Sequence, residues 1–161
     1  MKIAIIGTGN LGLSIAKGLI TNNLYTTLYL TKKNIKSIEK WRKYDKVYVS
    51  NNNIDAISNS DILFFSVQPS QFEKILIQIK SKLNDKHVII STITGFKINR
   101  IEKITGSSIP IIRAMPNTAI SVGKSMTCIC SNKKGLKSTP VAEAVFNGLG
   151  TTIKIEESLM R

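Results

Sequence analysis

Three closely spaced glycines near the start of the chain limit the folds open to it. The segment IAIIGTGNLGLSIAKG places Gly7, Gly9 and Gly12 directly after an apolar run and directly before a stretch with apolar residues at helical spacing. The apolar run predicts a buried strand, and the spacing predicts an amphipathic helix. The glycines therefore mark a tight turn from a strand into a helix.

The pattern G-x-G-x-x-G at such a turn predicts a site for a dinucleotide. Backbone N–H groups and the positive end of the helix dipole at a helix N-terminus attract a pyrophosphate. We expect Gly7 to make the turn, Gly9 to let the phosphates approach, and Gly12 to let the helix pack closely on the strand. Glycine spacing alone is weak evidence, so the flanking strand and helix carry the prediction.

Apolar runs alternate with helical stretches along the whole chain. DILFFSV and KIAIIG are apolar on both faces, as expected for parallel strands covered by helices. The alternation predicts one α/β domain over residues 1–161, with a doubly wound, mostly parallel sheet and helices on both faces, a Rossmann-like fold. Helices are predicted in LGLSIAKGLI, residues 34–44, SQFEKILIQIKSKL and TPVAEAVFNGLG, and strands near residues 2–7, 26–31, 46–50, 61–67, 87–93, 109–115, 125–131 and 151–155.

Two local predictions concern the connections. Pro69 is expected to end the fourth strand, and Ser70 with Glu73 three residues later has the form of a capping box that starts the next helix. The run at residues 51–53 is interpreted as a loop.

The net charge of +13 raises the question of a polyanionic partner. Nineteen of the 23 basic residues are Lys, scattered from Lys2 to Lys154, whereas recognition of phosphates and bases favours clustered Arg. We interpret the charge as a solvated, lysine-rich surface and expect no nucleic acid and no membrane as a partner. No apolar run approaches the ~20 residues that span a bilayer. The short apolar patch after Lys2 is interrupted by glycines and is not followed by a small-residue cleavage site, so a cytoplasmic location is predicted.

Few side chains are available for metal binding or acid–base chemistry. Cys128 and Cys130 alternate on a predicted strand, so they face the same side and are expected to be free thiols in a reducing compartment. The single histidine, His87, begins a predicted strand rather than ending one. We therefore predict no metal site and identify no catalytic residue, which suits hydride transfer because the cofactor carries that chemistry.

The end of the second strand, YLTKKN, bears on which cofactor is bound. An Asp or Glu about 20 residues after the glycines would hold the ribose 2′-hydroxyl of NAD. This chain has Thr31, Lys32 and Lys33 there, which suit a 2′-phosphate and predict NADP, with NADPH preferred over NADH. The alternative is that both lysines belong to the general lysine excess.

Other strand ends bring loops to the same edge of the sheet, where open α/β sheets bind ligands. These loops are SVQPSQ, TITGF and AMPNTAISVG. In the last, Met115, Pro116 and Asn117 combine an apolar side chain, a rigid turn and an amide that can bind a carboxamide or carboxylate. Taken alone, PNT also reads as an ordinary turn.

Together these segments resemble the pyrroline-5-carboxylate reductase family. The match runs in order through IAIIGTGNLG, SDILFFSVQP, STITGFKINRIEK and IIRAMPNTAISVGKSMT, and it covers nearly the whole chain. RAMPNT is the most specific element, since many dehydrogenases share the glycine turn. The resemblance implies hydride transfer from a nicotinamide to the imine carbon of 1-pyrroline-5-carboxylate, which gives L-proline.

The resemblance also implies roles for residues at several strand ends. It assigns Gly7, Thr8, Gly9, Asn10 and Leu11, next to Gly12, to the pyrophosphate; Thr31, Lys32 and Asn53 to the adenosine ribose or its phosphate; Val67, Gln68, Pro69, Thr94 and Gly95 to the ribose and nicotinamide; and Met115, Pro116 and Asn117 to the nicotinamide and the substrate pocket.

This chain departs from the family pattern in three ways. The family usually has Lys at the position of Gln68 and a second Pro at that of Ala119. It also continues into a helical domain that dimerises and completes the substrate pocket, so Arg161 is interpreted as a hinge or an artificial end. We expect the chain to be weak or inactive alone and to form a homo-oligomer only with that further domain.

Two other functions stay open at this point. One is a related NADP-linked reductase, of the deazaflavin-dependent or 6-phosphogluconate-like type, which the MPNT loop disfavours. The other is a standalone NADP-binding or sensing module.

Overall fold

The computed structural model describes residues 1–160, so Arg161 and its interpretation as a hinge lie outside the described residues. Eight strands form one sheet, and five α-helices pack against it. The strands are β1 (Lys2–Ile6), β2 (Thr27–Thr31), β3 (Val47–Ser50), β4 (Ile62–Phe65), β5 (Val88–Ser91), β6 (Ile111–Met115), β7 (Ser125–Ser131) and β8 (Gly150–Lys154). The helices are α1 (Asn10–Thr21), α2 (Asn53–Ser58), α3 (Pro69–Ile79), α4 (Ile98–Thr105) and α5 (Thr139–Asn147).

The strand order is β3-β2-β1-β4-β5-β6-β7-β8. All neighbouring strands are parallel except β6 and β7, which are antiparallel. The chain moves outward from β1 to β3 and then crosses back to β4 on the other side of β1. This reversal confirms the predicted doubly wound, mostly parallel sheet, and it opens a crevice at the carboxyl ends of β1 and β4.

The sheet is buried on both faces because alternate residues of its strands enter two separate cores. In β1, Ile3 and Ile5 belong to one core, and Ala4 and Ile6 belong to the other. The first core includes buried residues of α1 and α5, and the second includes those of α2, α3 and α4. The prediction of helices on both faces is therefore confirmed.

Several local predictions were wrong. Residues 51–53 are not only a loop, because Asn53 begins α2 and the Asn52 side chain caps it by accepting a hydrogen bond from the Asp55 N–H at 3.1 Å. Residues 34–44 form a 3-10 helix, Ile35–Lys43, rather than an α-helix. The helix α4 was not predicted at all.

The capping box was also wrong. Helix α3 begins at Pro69, with Gln68 as its N-cap and without a side-chain capping bond. Pro fits the first helical position because the N–H that it lacks would have no partner there. Ser70 therefore lies inside the helix, and Glu73 pairs instead with Arg100 of α4.

Within the described residues, every helix is too short or too polar to cross a lipid bilayer.

Candidate functional site

The turn after β1 has a backbone that only glycine fits at its first position. Gly7 has a φ of +92°, and a Cβ there would lie 2.5 Å from Cγ1 of Val67 and 2.8 Å from the carbonyl oxygen of Ser66. The Gly7 N–H donates to the hydroxyl of Thr31 at 3.4 Å, which links the turn to the end of β2. The turn thus sits between the ends of β2 and β4, as expected for the first glycine of the motif.

The N-terminus of α1 is open to a ligand. Gly9 is its N-cap, so no side chain caps the helix, and its first turn contains no acidic residue. The first N–H groups of a helix have no carbonyl partner within it, and a Cβ on Gly9 would meet nothing within 4 Å. This end therefore offers free donors and unopposed positive potential to an anion.

Gly12 has the third role predicted for the motif. A Cβ on Gly12 would collide with the carbonyl oxygen of Gly7 and would lie 3.3 Å from Cγ2 of Ile5. The absence of a side chain is therefore what allows α1 to pack closely on β1.

A cleft of about 810 Å³ opens at the carboxyl ends of the first four strands. Its volume falls within the range of small-molecule and cofactor sites. It brings together eight of the predicted residues: Gly7, Thr8, Gly9, Thr31, Lys32, Asn53, Val67 and Gln68.

One wall of the cleft was predicted only at its start, where Ser70 and Gln71 belong to the SVQPSQ loop. It is the face of α3 formed by Ser70, Lys74 and Gln78, with Gln71 and Ile75 beside them. Their spacing of four residues in a helix that directly follows a strand was the available signal. Three lysines, Lys32, Lys33 and Lys74, line the cleft together with no carboxylate, which gives it a positive potential.

The remaining predicted residues lie outside this cleft. Asn10, Leu11 and Gly12 form the first turn of α1, next to Gly9, and Pro69 begins α3. Thr94 and Met115 line a second, small cavity of about 10 Å³ between the ends of β5 and β6. Gly95 is in the same loop as Thr94, and Pro116 and Asn117 directly follow β6.

Asn117 has a structural bond that the sequence did not indicate. It is the N-cap of the 3-10 helix Thr118–Val122, and its side-chain oxygen accepts a hydrogen bond from the Ala119 N–H at 3.2 Å. The oxygen is thus engaged, and the NH₂ of the amide is the part left to bind another group.

His87 is far from the cleft and has a structural role. It lies next to the amino end of β5, where its Nδ1 accepts a hydrogen bond from the Asn84 N–H at 3.1 Å. Its Nε2 then carries the proton and donates to the carbonyl of Ile57 at 3.3 Å. No group of three potential metal-ligating side chains occurs among residues 1–160.

The strand order, the glycine turn and the cleft at the point of reversal together define a Rossmann-like domain of the kind that binds dinucleotides. Residues 2–95 match the family model described as NADP oxidoreductase, coenzyme F420-dependent. Because this match covers more than half of the chain, the chain belongs to that family.

The most similar proteins include reductases that are longer than this chain. Pyrroline-5-carboxylate reductase 1 of Dictyostelium discoideum is 36% identical over 96% of this chain, which corresponds to 30% of the relative. Solved structures of pyrroline-5-carboxylate reductase from Coxiella burnetii and of pyrroline carboxylate reductase from Plasmodium falciparum, the latter with NADP bound, are each 26% identical. Their TM-scores are 0.90 and 0.82, over 96% and 98% of this chain and 58% of each of theirs. The chain thus spans less than two thirds of the proteins it matches.

Proposed function

We propose that this chain is the cofactor-binding part of a pyrroline-5-carboxylate reductase and that it binds NADPH in preference to NADH. The observation that carries the proposal is the open N-terminus of α1 at the edge of the large cleft, in a chain whose relatives carry that name. The residues present fit such a cofactor, since Gly9 leaves room for a pyrophosphate and the lysines suit an additional phosphate.

In this proposal each strand end holds one part of the cofactor. The segment Gly7, Thr8, Gly9, Asn10 and Leu11 holds the pyrophosphate. The N–H groups at the start of α1 are the donors, since those of Gly7 and Thr8 are bonded to Thr31, and Gly12 keeps α1 close behind them. Lys32, beside Thr31 and Asn53, faces the adenosine ribose and its phosphate. The nicotinamide end lies toward Val67, Gln68, Pro69, Thr94 and Gly95, and Met115, Pro116 and Asn117 border both the nicotinamide and the substrate.

NADPH, when bound, supplies the hydride that reduces the C=N bond of 1-pyrroline-5-carboxylate to L-proline. This chain would orient the reactive ring and exclude water with Met115 and its neighbours. Because the chain spans only part of its relatives, we propose that it binds the cofactor by itself but reduces the imine weakly or not at all. Self-association only together with the further helical domain, a cytoplasmic location and the absence of nucleic-acid or membrane partners belong to the same proposal.

A second candidate is a reductase linked to coenzyme F420, which the description of the matching family names. That match ends at residue 95 and so includes β1 to β5 but not the RAMPNT segment. The relatives that match nearly the whole chain include pyrroline-5-carboxylate reductases 1 and 2 of Dictyostelium discoideum, which favours the first candidate.

Titration with NADPH and with NADH, followed by nicotinamide fluorescence, tests the proposal. We expect saturable binding of both, with NADPH tighter. Imine reduction is then assayed with the chain alone and with a version extended by the remaining part of a relative. Binding without any imine reduction in the extended version would favour the standalone module, and binding of neither nucleotide would exclude the proposal.

A further inference from the structure

The segment that follows β8 turns back over the sheet and is anchored there by one carboxylate. Glu157 is the first residue of the 3-10 helix Glu157–Leu159. Its Oε1 accepts two hydrogen bonds, one from the backbone N–H of Ile98 at 2.8 Å and one from Nη1 of Arg113 at 2.7 Å. The carboxylate therefore connects the start of α4 with the middle of β6.

The same segment has a second anchor three residues later. Met160 is buried, with 5% of its surface exposed, and its Sδ lies 3.2 Å from Sγ of Cys130 on β7. In the sheet, Cys130 is the register partner of Arg113. The two anchors thus meet paired residues of β6 and β7, so the segment is held against these two strands.

The two partners of Glu157 stand at the bases of two candidate site loops. Ile98 begins α4, three residues after Gly95, and Arg113 lies two residues before Met115. The strands that lead into these loops, β5 and β6, are parallel neighbours. A single carboxylate therefore fixes the bases of both loops relative to each other.

Burial makes this contact hard to replace. The Arg113 side chain is 7% exposed and that of Glu157 is 28% exposed. A buried guanidinium without its counter-charge is costly, and the first N–H of a helix has no partner within the helix. Arg113 also lines the small cavity with Thr94 and Met115, so a shift of its guanidinium would reach both loops.

We infer that Glu157 is a positioning residue for the nicotinamide end of the cofactor site. It acts through Arg113 and the N-terminus of α4. These contacts hold the Thr94–Gly95 loop and the Met115–Asn117 loop in a fixed position relative to each other. It touches neither cofactor nor substrate. The inference rests on the proposed function, because it requires that these two loops border the nicotinamide.

The test compares two ligands that differ in the nicotinamide. NADPH has this ring, whereas 2′-phospho-ADP-ribose keeps the adenosine, its phosphate and the pyrophosphate but has none. In the 161-residue chain we expect Glu157→Gln to weaken NADPH binding about fivefold or more. The same change should reduce the gain in nicotinamide fluorescence on binding and leave the affinity for 2′-phospho-ADP-ribose within about twofold.

Glu156→Gln is the matched control. It removes the same charge from the adjacent, exposed residue, whose side chain makes no hydrogen bond or ion pair within residues 1–160. Glu157→Asp is the second variant, since it keeps the charge but is too short to reach both partners, and it carries the test if the Gln variant does not fold. Circular dichroism checks the fold of each.

The outcomes separate this inference from the proposed function. Selective loss of NADPH binding and of the fluorescence gain in the Glu157 variants supports the positioning role. The positioning role is overturned if the wild-type chain binds NADPH and the Glu157 variants lose affinity equally for both ligands. It is also overturned if the variants bind both ligands as the wild type does. A wild-type chain that binds neither ligand overturns the proposed function itself.

Discussion

The carbonyl oxygen of Thr31 accepts two hydrogen bonds from Thr8, one from its backbone N–H at 3.1 Å and one from its hydroxyl at 3.0 Å. Thr8 is fully buried, so its side chain holds the glycine turn against the end of β2 rather than facing solvent. We expect Thr8→Val to lower the free energy of unfolding by about 1 kcal/mol, because it removes one hydrogen bond at nearly constant volume. Urea denaturation measures this loss.

Thr151→Val is the control for that change. Thr151 is exposed on β8, away from the turn, and the substitution there should change the free energy of unfolding by less than about 0.5 kcal/mol. If both variants unfold at the same urea concentration as the wild type, the Thr8 hydroxyl does not stabilise the turn.

Gly9→Ala should separate cofactor binding from folding. A Cβ at Gly9 meets no protein atom within 4 Å, so stability should stay within about 0.5 kcal/mol of the wild type. The added methyl would occupy the space where a pyrophosphate approaches the N-terminus of α1. We expect NADPH to bind about tenfold more weakly or worse, as measured by nicotinamide fluorescence.

Gly12→Ala should instead lower the stability of the fold. Its Cβ would collide with the Gly7 carbonyl, so α1 must shift from β1, at a cost of about 1–3 kcal/mol. Thermal denaturation should report this loss at Gly12 and none at Gly9. Unchanged NADPH affinity in a folded Gly9→Ala variant would mean that the pyrophosphate does not lie against the turn.

The fold was predictable chiefly because its central strands, such as β1 and β4, are apolar on both faces. The glycine turn was predicted in detail because all three of its glycines lie within six residues, and local sterics decide their roles. Short helices were less predictable, since α2 has six residues and α4 has eight, too few for a clear periodicity. At α3, Ser70 and Glu73 indicated a capping box, but Pro69 fits the first helical position, so the helix begins there and Gln68 is its N-cap.

The site was predictable at the strand ends and not elsewhere. The spacing of Ser70, Lys74 and Gln78 places them on one face of α3, but the packing of α3 beside β4 decides that this face lines the cleft. Glu157 reaches Arg113 across 44 positions of sequence, and no local pattern indicates such a pair. Candidate residues placed by long-range packing were therefore missed, whereas eight of the predicted residues line the cleft.

The lysines at the end of β2 should set the preference for a phosphorylated cofactor. Lys32 and Lys33 both line the cleft. Replacing both with Glu reverses their charge, so the Kd for NADPH should rise about tenfold while the Kd for NADH rises much less. The Michaelis constants of an active, extended enzyme should change in the same order.

Lys133→Glu with Lys134→Glu provides a matched control. This pair makes the same change in net charge at two exposed lysines outside the cleft. It should leave the ratio of the two Kd values unchanged. Equal effects of the two double substitutions on NADPH binding would mean that overall charge, and not the β2 end, attracts the cofactor.

Cys130 should make stability depend on pH in the alkaline range. Burial and, to a smaller extent, the nearby Glu157 carboxylate raise the pKa of its thiol to about 11, from 9.0. Because the folded-state pKa is the higher one, the thiol's contribution to stability is complete below pH 9 and is lost as the pH rises toward 11. Urea denaturation between pH 8 and pH 11 should show a shallower decline for Cys130→Ala than for the wild type. Cys128→Ala, at a half-buried position, is the control, and identical declines in all three proteins would contradict the prediction.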